Sequence, residues 1–188
     1  MKRLGGVSRL ALFLLCTQAV YAAPLLFSGI FDPANWTFMT GGDGWVDTSG
    51  APNSITLAGS DSGLDEPVVT SYLITVPSDV VLDFNWSYVT YDEDGPSYDP
   101  AGYSINGVWV QLTANSGADS QFGFISGLSL SAGDTFAFEV RSSDDIAGRA
   151  VLSISGGEIP EPGSVALFGA GLLLIALRRR KSAKLSAS

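Results

Sequence analysis

The sequence has no histidine, and its single cysteine, Cys16, lies in an apolar N-terminal run. Lysine is absent from residues 24–158. Together these absences remove Ser-His-Asp and Cys-His catalysis, Ser-Lys dyads, Schiff-base lysines and His-ligated zinc from the region between the two ends. They also remove any disulfide framework. Of the common hydrolytic chemistries only a carboxylate pair of the glycosidase kind is left. With 19 acidic residues in the chain, finding two within reach would carry little weight, so no enzyme is expected.

Positive charge is scarce in the same region. All 19 acidic residues fall between Asp32 and Glu161, against two basic ones, Arg141 and Arg149, a surplus of 17 negative charges. The whole-chain net charge of −9 hides this surplus because the other basic residues sit at the two ends. Such a region is not expected to bind nucleic acid or an anionic membrane face. Divalent cations, neutral sugars and basic proteins suit it.

Helical periodicity is missing as well, and what stands in its place is alternation. Leu82, Phe84, Trp86 and Tyr88 alternate with Asp83, Asn85 and Ser87, the pattern of a half-buried strand with its aromatics inward. Phe136, Phe138 and Val140 alternate with Thr135, Ala137, Glu139 and Arg141 in the same way. Tyr103 to Ile105 and Val108 to Leu112 are joined by Asn106-Gly107, the strongest short-range hairpin signal. Further strands are expected at residues 36–39, 54–58, 71–76, 121–125 and 150–155. Gly, Asp, Ser and Pro separate these segments, so the fold class is all-β, an antiparallel β-sandwich with jelly-roll or Greek-key connections.

At the N-terminus Lys2, Arg3 and Arg9 precede Leu10 to Leu15, and Val20-Tyr21-Ala22 offers small residues where a signal peptidase reads. Residues 1–22 therefore read as a Sec signal peptide, and residues 23–158 as one exported domain.

Near the C-terminus, Pro160-Glu161-Pro162 precedes Ser164 to Leu177, 14 residues without a charge, and then Arg178-Arg179-Arg180-Lys181. As a helix the apolar run would cover about 21 Å, short of the roughly 30 Å hydrocarbon core of a bilayer. That length suits a transient hold in the inner membrane better than a permanent anchor. By the positive-inside rule Arg178, Arg179 and Arg180 stay cytoplasmic, and everything before Pro160 faces outward. The two prolines fix their backbone and present Glu161 on an extended segment that a processing protease can read. The three parts in this order, about residues 159–184 with 185–188 as tail, closely resemble the PEP-CTERM sorting signal. The resemblance implies recognition of Pro160, Glu161 and Pro162 by an exosortase, a membrane-embedded transpeptidase-like enzyme of Gram-negative bacteria that make exopolysaccharide. It further implies a product displayed on the cell surface or released into an exopolysaccharide matrix. The middle region resembles domains that recur beside such tails, through Phe31-Asp32-Pro33-Ala34-Asn35-Trp36 and Ala132-Gly133-Asp134-Thr135-Phe136, and that resemblance implies no activity.

Two features of the domain suggest binding. Asp92, Glu93, Asp94 and Asp99 crowd one loop and offer the oxygen ligands that Ca²⁺ takes, although the spacing is not that of an EF-hand. Asp61 to Glu66 and Asp144-Asp145 would add ligands if the fold brings them to the same end. Trp109 is out of phase with Val108, Val110 and Leu112, and Trp45 also stands apart from the core pattern; an outward aromatic on a sandwich suits stacking against a sugar. The expected function is thus a structural or adhesive component of an exopolysaccharide or biofilm setting. A calcium-dependent carbohydrate-binding module is the alternative, and a carboxylate glycosidase a remote one.

Overall fold

Alternation along β10 (Thr135–Ser142) organises the fold described by the computed structural model, which covers residues 23–157. Phe136, Phe138 and Val140 are fully buried on one face of that strand. They meet Leu82, Phe84 and Tyr88 of β6 (Val80–Thr90) from a second sheet. Phe84 and Phe138 stand edge to face with ring centroids 5.4 Å apart, an arrangement favoured by the ring quadrupoles. The signal-peptide segment, and the tail with Pro160, Glu161, Pro162 and Arg178 to Arg180, lie outside the described residues.

Before β6 the chain forms β1 (Ala23–Pro24), two 3-10 turns (Gly29–Phe31 and Pro33–Asn35), β2 (Thr37–Thr40), β3 (Trp45–Asp47), β4 (Ser54–Ala58) and β5 (Val68–Thr75). After it come β7 (Ala101–Ile105), β8 (Val108–Gln111), β9 (Ser120–Leu130), β10 and β11 (Ala150–Gly156). The first sheet runs β9-β6-β11-β4-β3 and the second β2-β5-β10-β7-β8. Strands β4 to β11 therefore trace a jelly roll, with β4-β11-β6-β9 facing β5-β10-β7-β8. β2 and β3 each widen one sheet. The short β1 runs parallel to β6, pairing with Leu82 and Asp83 just beyond the point where β11 ends opposite Phe84.

The two 3-10 turns deliver Trp36 to the core. Its ring stacks on Tyr72 at 4.9 Å and on Phe138 at 5.9 Å, and its Nε1 donates to the Phe31 carbonyl at 3.0 Å. An indole that is both packed and hydrogen-bonded avoids the cost of burying a bare N–H. Asn106 and Gly107 close the β7–β8 hairpin with φ of 52° and 79°, the left-handed pair of a type I′ turn. Where the sequence pattern places Asp83 on a solvent-facing position, the structure buries it. Its Oδ1 accepts from Gly127 N at 2.7 Å and caps a bulge in β9, where the β6 register shifts between Leu82 and Phe84.

The jelly roll sends its loops to two ends. The β6–β7 and β10–β11 loops are laced by Tyr91 N to Arg149 O, Glu93 N to Ala147 O and Ser143 N to Tyr98 O. Gly63 N to Asp145 O adds the β4–β5 loop, and Thr90 N to Asp119 O the β8–β9 loop. Among the described residues, the two sheets enclose one continuous hydrophobic core.

Candidate functional site

The four gathered loops hold ten of the chain's 19 acidic residues: Asp61, Asp65, Glu66, Asp92, Glu93, Asp94, Asp99, Asp119, Asp144 and Asp145. That end of the sandwich carries a concentrated negative field. Within it the acids differ sharply in surroundings. Asp145 is fully buried and well served: its carboxylate accepts from the Ser62 hydroxyl, from Ser62 N at 3.2 Å and from Leu64 N at 3.3 Å. Burial pushes its carboxyl up, but the Ser60 and Ser62 hydroxyls and the loop amides outweigh that and hold it below the usual range.

Asp99 is the opposite case. It is fully buried, and neither carboxylate oxygen makes a well-formed hydrogen bond, although the Ser142 hydroxyl lies close enough to favour its charged form. Burial pushes its carboxyl up to about 7; the Ser142 hydroxyl pulls the other way, while Asp92, Asp144 and Asp61 add to the rise. Asp92, also buried, uses Oδ1 to accept from Asp94 N at 2.6 Å in a tight turn and leaves Oδ2 unpartnered. Burial raises its carboxyl too, with the charges of Asp144 and Asp94 adding to the effect. Asp144 leaves Oδ1 buried and unpartnered.

The four acids expected from sequence thus separate. Asp92 and Asp99 turn inward, whereas Glu93 and Asp94 are exposed at the tip of the turn that Gly95 (φ 84°) closes. The Asp144-Asp145 and Asp61-to-Glu66 clusters do arrive at the same end. Among the described residues, no group of three His, Cys, Asp or Glu side chains is placed so that it could hold a metal ion.

A second surface lies on the outer face of the first sheet. Its register aligns three cross-strand rows: Trp45, Ala58, Val151, Val89 and Ser120; then Asp47, Thr56, Ser153, Ser87 and Phe122; then Ser54, Ser155, Asn85 and Phe124. Ala58, Val151 and Val89 fill the middle of the first row, and small hydroxyl and amide side chains that of the other two. Aromatic rings stand at the two sides, Phe122 at 86% exposure, Phe124 at 47% and Trp45 at 43%. Asp47, on the edge strand, is the one charge in these rows. Strand spacing puts the two edges about 19 Å apart, and sheet twist turns the face into a saddle rather than a plane. Ser87, Val89, Ser120, Phe122, Val151 and Ser153 line a shallow depression near one side.

Trp109 takes the outer face of the second sheet, on the side its phase in β8 predicts. Its ring crosses Gly102, where an added Cβ would come within 2.8 Å of the indole. The Arg141 guanidinium covers the ring at 4.0 Å and also pairs with Glu139 at 2.7 Å. Ser104 donates to the same carboxylate. One face of Trp109 is therefore occupied from within the protein.

Phe122 and Phe124 are the residues that sequence reasoning placed in a strand without assigning them to a surface. The available signal was their alternation with Gln121, Gly123 and Ile125. It reads equally well with either set inward, and Gly123 decides the matter because the Trp86 ring fills the space its Cβ would take.

The PEP-CTERM protein-sorting motif matches residues 158–181. No curated protein matches the chain. The motif marks an exported protein that is held transiently at a membrane and has an exosortase as its processing partner. Here that sorting signal follows an all-β sandwich. Among the described residues no helix is long and apolar enough to cross a membrane.

Proposed function

We propose that the processed domain holds neutral polysaccharide outside the cell, on the outer face of its first sheet, and serves as an adhesive or matrix component at the surface of an exopolysaccharide-making bacterium. One observation carries this reading: in a domain with so large a negative surplus, this face is almost free of charge, lined with small apolar, hydroxyl and amide side chains and flanked by exposed rings. Aromatic rings stack on the apolar faces of sugars, and short hydroxyl and amide side chains exchange hydrogen bonds with sugar hydroxyls in place of water. The acidic surface elsewhere repels anionic polymers, so an uncharged chain is the partner that fits. The domain acts by binding, not by catalysis.

The test is retention of residues 23–157 on cellulose, on curdlan and in mannan affinity gels, with alginate as the anionic comparator. Retention on at least one neutral polymer is expected. It should weaken at least tenfold in a Phe122→Ala/Phe124→Ala variant and in Trp45→Ala, with little change in melting temperature because these rings are exposed. Retention that survives loss of all three aromatics would overturn the reading. So would a finding that the variants instead abolish a dimer made through the β9 edge.

A further inference from the structure

We propose that, while the sorting segment is attached, the domain rests on the membrane surface by the end of the sandwich opposite its acidic loops, with Leu26 and Ile30 entering the headgroup layer. The chain leaves the fold at that end. β11 finishes at Gly156 opposite Phe84, and Gly157 N donates to the Asp83 carbonyl at 3.4 Å. β1 lies on the same short stretch of β6, pairing Ala23 with Leu82 and Pro24 with Asp83, so both ends of the described chain emerge together. The sorting motif matches from residue 158 onward, and its uncharged run begins at Ser164. From Gly157 to Ser164 the chain can reach no more than about 25 Å, even fully extended. The 11 residues of β6 alone span about 36 Å. The tether is therefore shorter than the sandwich is tall, and it keeps this end near the membrane.

Charge is divided along the same axis. The loops at the far end hold ten acids, whereas those at this end, residues 25–36, 48–53, 76–79, 106–107 and 131–134, hold three: Asp32, Asp79 and Asp134. Each of the three accepts from a loop amide, from Ala34 N at 2.9 Å, Ala132 N at 2.9 Å and Ser131 N at 2.8 Å respectively. The surplus that argues against contact with an anionic surface thus stands mostly about a strand's length, roughly 35 Å, from it, several times the Debye length of about 8 Å at physiological salt. Apolar side chains are exposed where the charge is thin. Leu26 is 43% exposed and Ile30 41%. Leu26 sits at the exit itself, where a Cβ on Gly156 would lie 3.2 Å from its Cδ2. Ile30 and the exposed Pro77 line one shallow depression. Leu64, Tyr91 and Tyr98 are exposed at the other end, but they stand among the ten acids. Apolar side chains gain from burial at the headgroup boundary, and a lipid surface demands no matching shape. The contact depends on the tether, because the field of the whole domain opposes it.

The experiment uses the full chain carrying Cys16→Ser, so that one introduced cysteine takes a bimane label. The protein is reconstituted in vesicles of phosphatidylethanolamine and phosphatidylglycerol whose headgroups bear a nitroxide quencher. Ser78→Cys reports on the β5–β6 loop at the exit end and Ser97→Cys on the acidic end; both serines are exposed. Quenching of the Ser78→Cys label is expected to exceed that of the Ser97→Cys label several-fold. Adding Leu26→Asp/Ile30→Asp should bring the two labels close to equal quenching with little change in melting temperature, and Leu26→Ser/Ile30→Ser serves if the Asp variant does not fold. Equal quenching of the two labels before those changes, or stronger quenching of the Ser97→Cys label, would overturn the proposal. Quenching at the exit end that is unchanged without the two apolar side chains would mean that the tether alone sets the orientation, and would overturn the contact. An asymmetry seen only once exosortase is added to the vesicles would assign this end to the enzyme and overturn it equally. The vesicles hold no polysaccharide, so the outcome is independent of sugar binding.

Discussion

Replacing Asp99 by Asn should stabilise the domain at pH 8, a direction opposite to that of most substitutions at fully buried positions. The carboxyl titrates at about 7 in the folded chain against an ordinary value of 3.8. The folded state therefore holds this proton more tightly than the unfolded one. As pH rises above the ordinary value, the unfolded chain ionises first and stability falls. The loss amounts to about 1.5 kcal/mol at pH 5 and levels off near 4 kcal/mol at pH 8, at 1.36 kcal/mol per unit. An amide removes the ionisation but brings two N–H donors into a buried site, which costs about 1–3 kcal/mol where they find no acceptor. The expected net gain at pH 8 is thus on the order of 2 kcal/mol, and near pH 5 it vanishes or reverses. Urea unfolding of both proteins in EDTA at pH 5 and pH 8 measures this directly. A variant less stable than wild type at pH 8, or a difference that does not change between the two pH values, would refute the argument from unpartnered oxygens.

Acid should act through a different set of groups: Asp43 is held below the usual range by the Asp61 amide and the Arg149 guanidinium, and Asp145 by its serine and amide partners. Their contribution is present above pH 3.8 and should be lost as pH falls through their depressed values, giving an unfolding limb below about pH 4 by circular dichroism. Gly102→Ala should cost about 1–3 kcal/mol in urea unfolding, because its Cβ would lie 2.2 Å from the Val110 carbonyl oxygen and 2.8 Å from the Trp109 ring. Trp36→Ala should cost about 3–5 kcal/mol, since it empties the centre of the aromatic cluster. Replacing Glu161 and Pro162 with Ala should leave uncleaved precursor in the membrane fraction of exosortase-bearing cells; a mature mass equal to wild type would contradict a sorting role for those two residues.

The strands that can be read from sequence are the ones whose two faces differ chemically. β10 and the core half of β6 alternate cleanly because one face meets the opposite sheet, and Asn106-Gly107 announces its own turn. β4 falls at residues 54–58 as its flanking Pro52, Asn53 and Gly59 suggest. β5 begins at Val68, earlier than the expected residue 71, because Val68 and Thr70 are buried by partners on other strands, information that local pattern does not contain. The loop acids show the same limit. Eight residues of sequence make Asp92, Glu93, Asp94 and Asp99 look equivalent, whereas two turn inward and two do not. The difference is set by Gly95 at positive φ and by main-chain bonds to a loop some fifty residues away. Asp144 joins the inward pair only because β10 and β11 end where β6 does.

Charge placement links the sorting signal to the domain it carries. While the terminal arginines are attached, the chain has a basic segment suited to the cytoplasmic face of a membrane. Between residues 23 and 157 the chain has two basic side chains, and each is already paired: Arg149 with Asp43 at 2.8 Å and Arg141 with Glu139 at 2.7 Å. That span presents an almost wholly negative field, with neither basic side chain free to contact an anionic surface. Removal of the sorting segment would therefore take away the basic cluster that suits a membrane and leave the domain's negative field unopposed. On the proposed function the nearly uncharged sheet face keeps the product near the cell, through stacking and hydrogen bonds that would not depend on charge. On this argument added salt should weaken residual repulsion from membranes while leaving retention on neutral polysaccharide nearly unchanged. Retention that fell steeply between 50 and 500 mM NaCl would place the contact on the acidic loops instead.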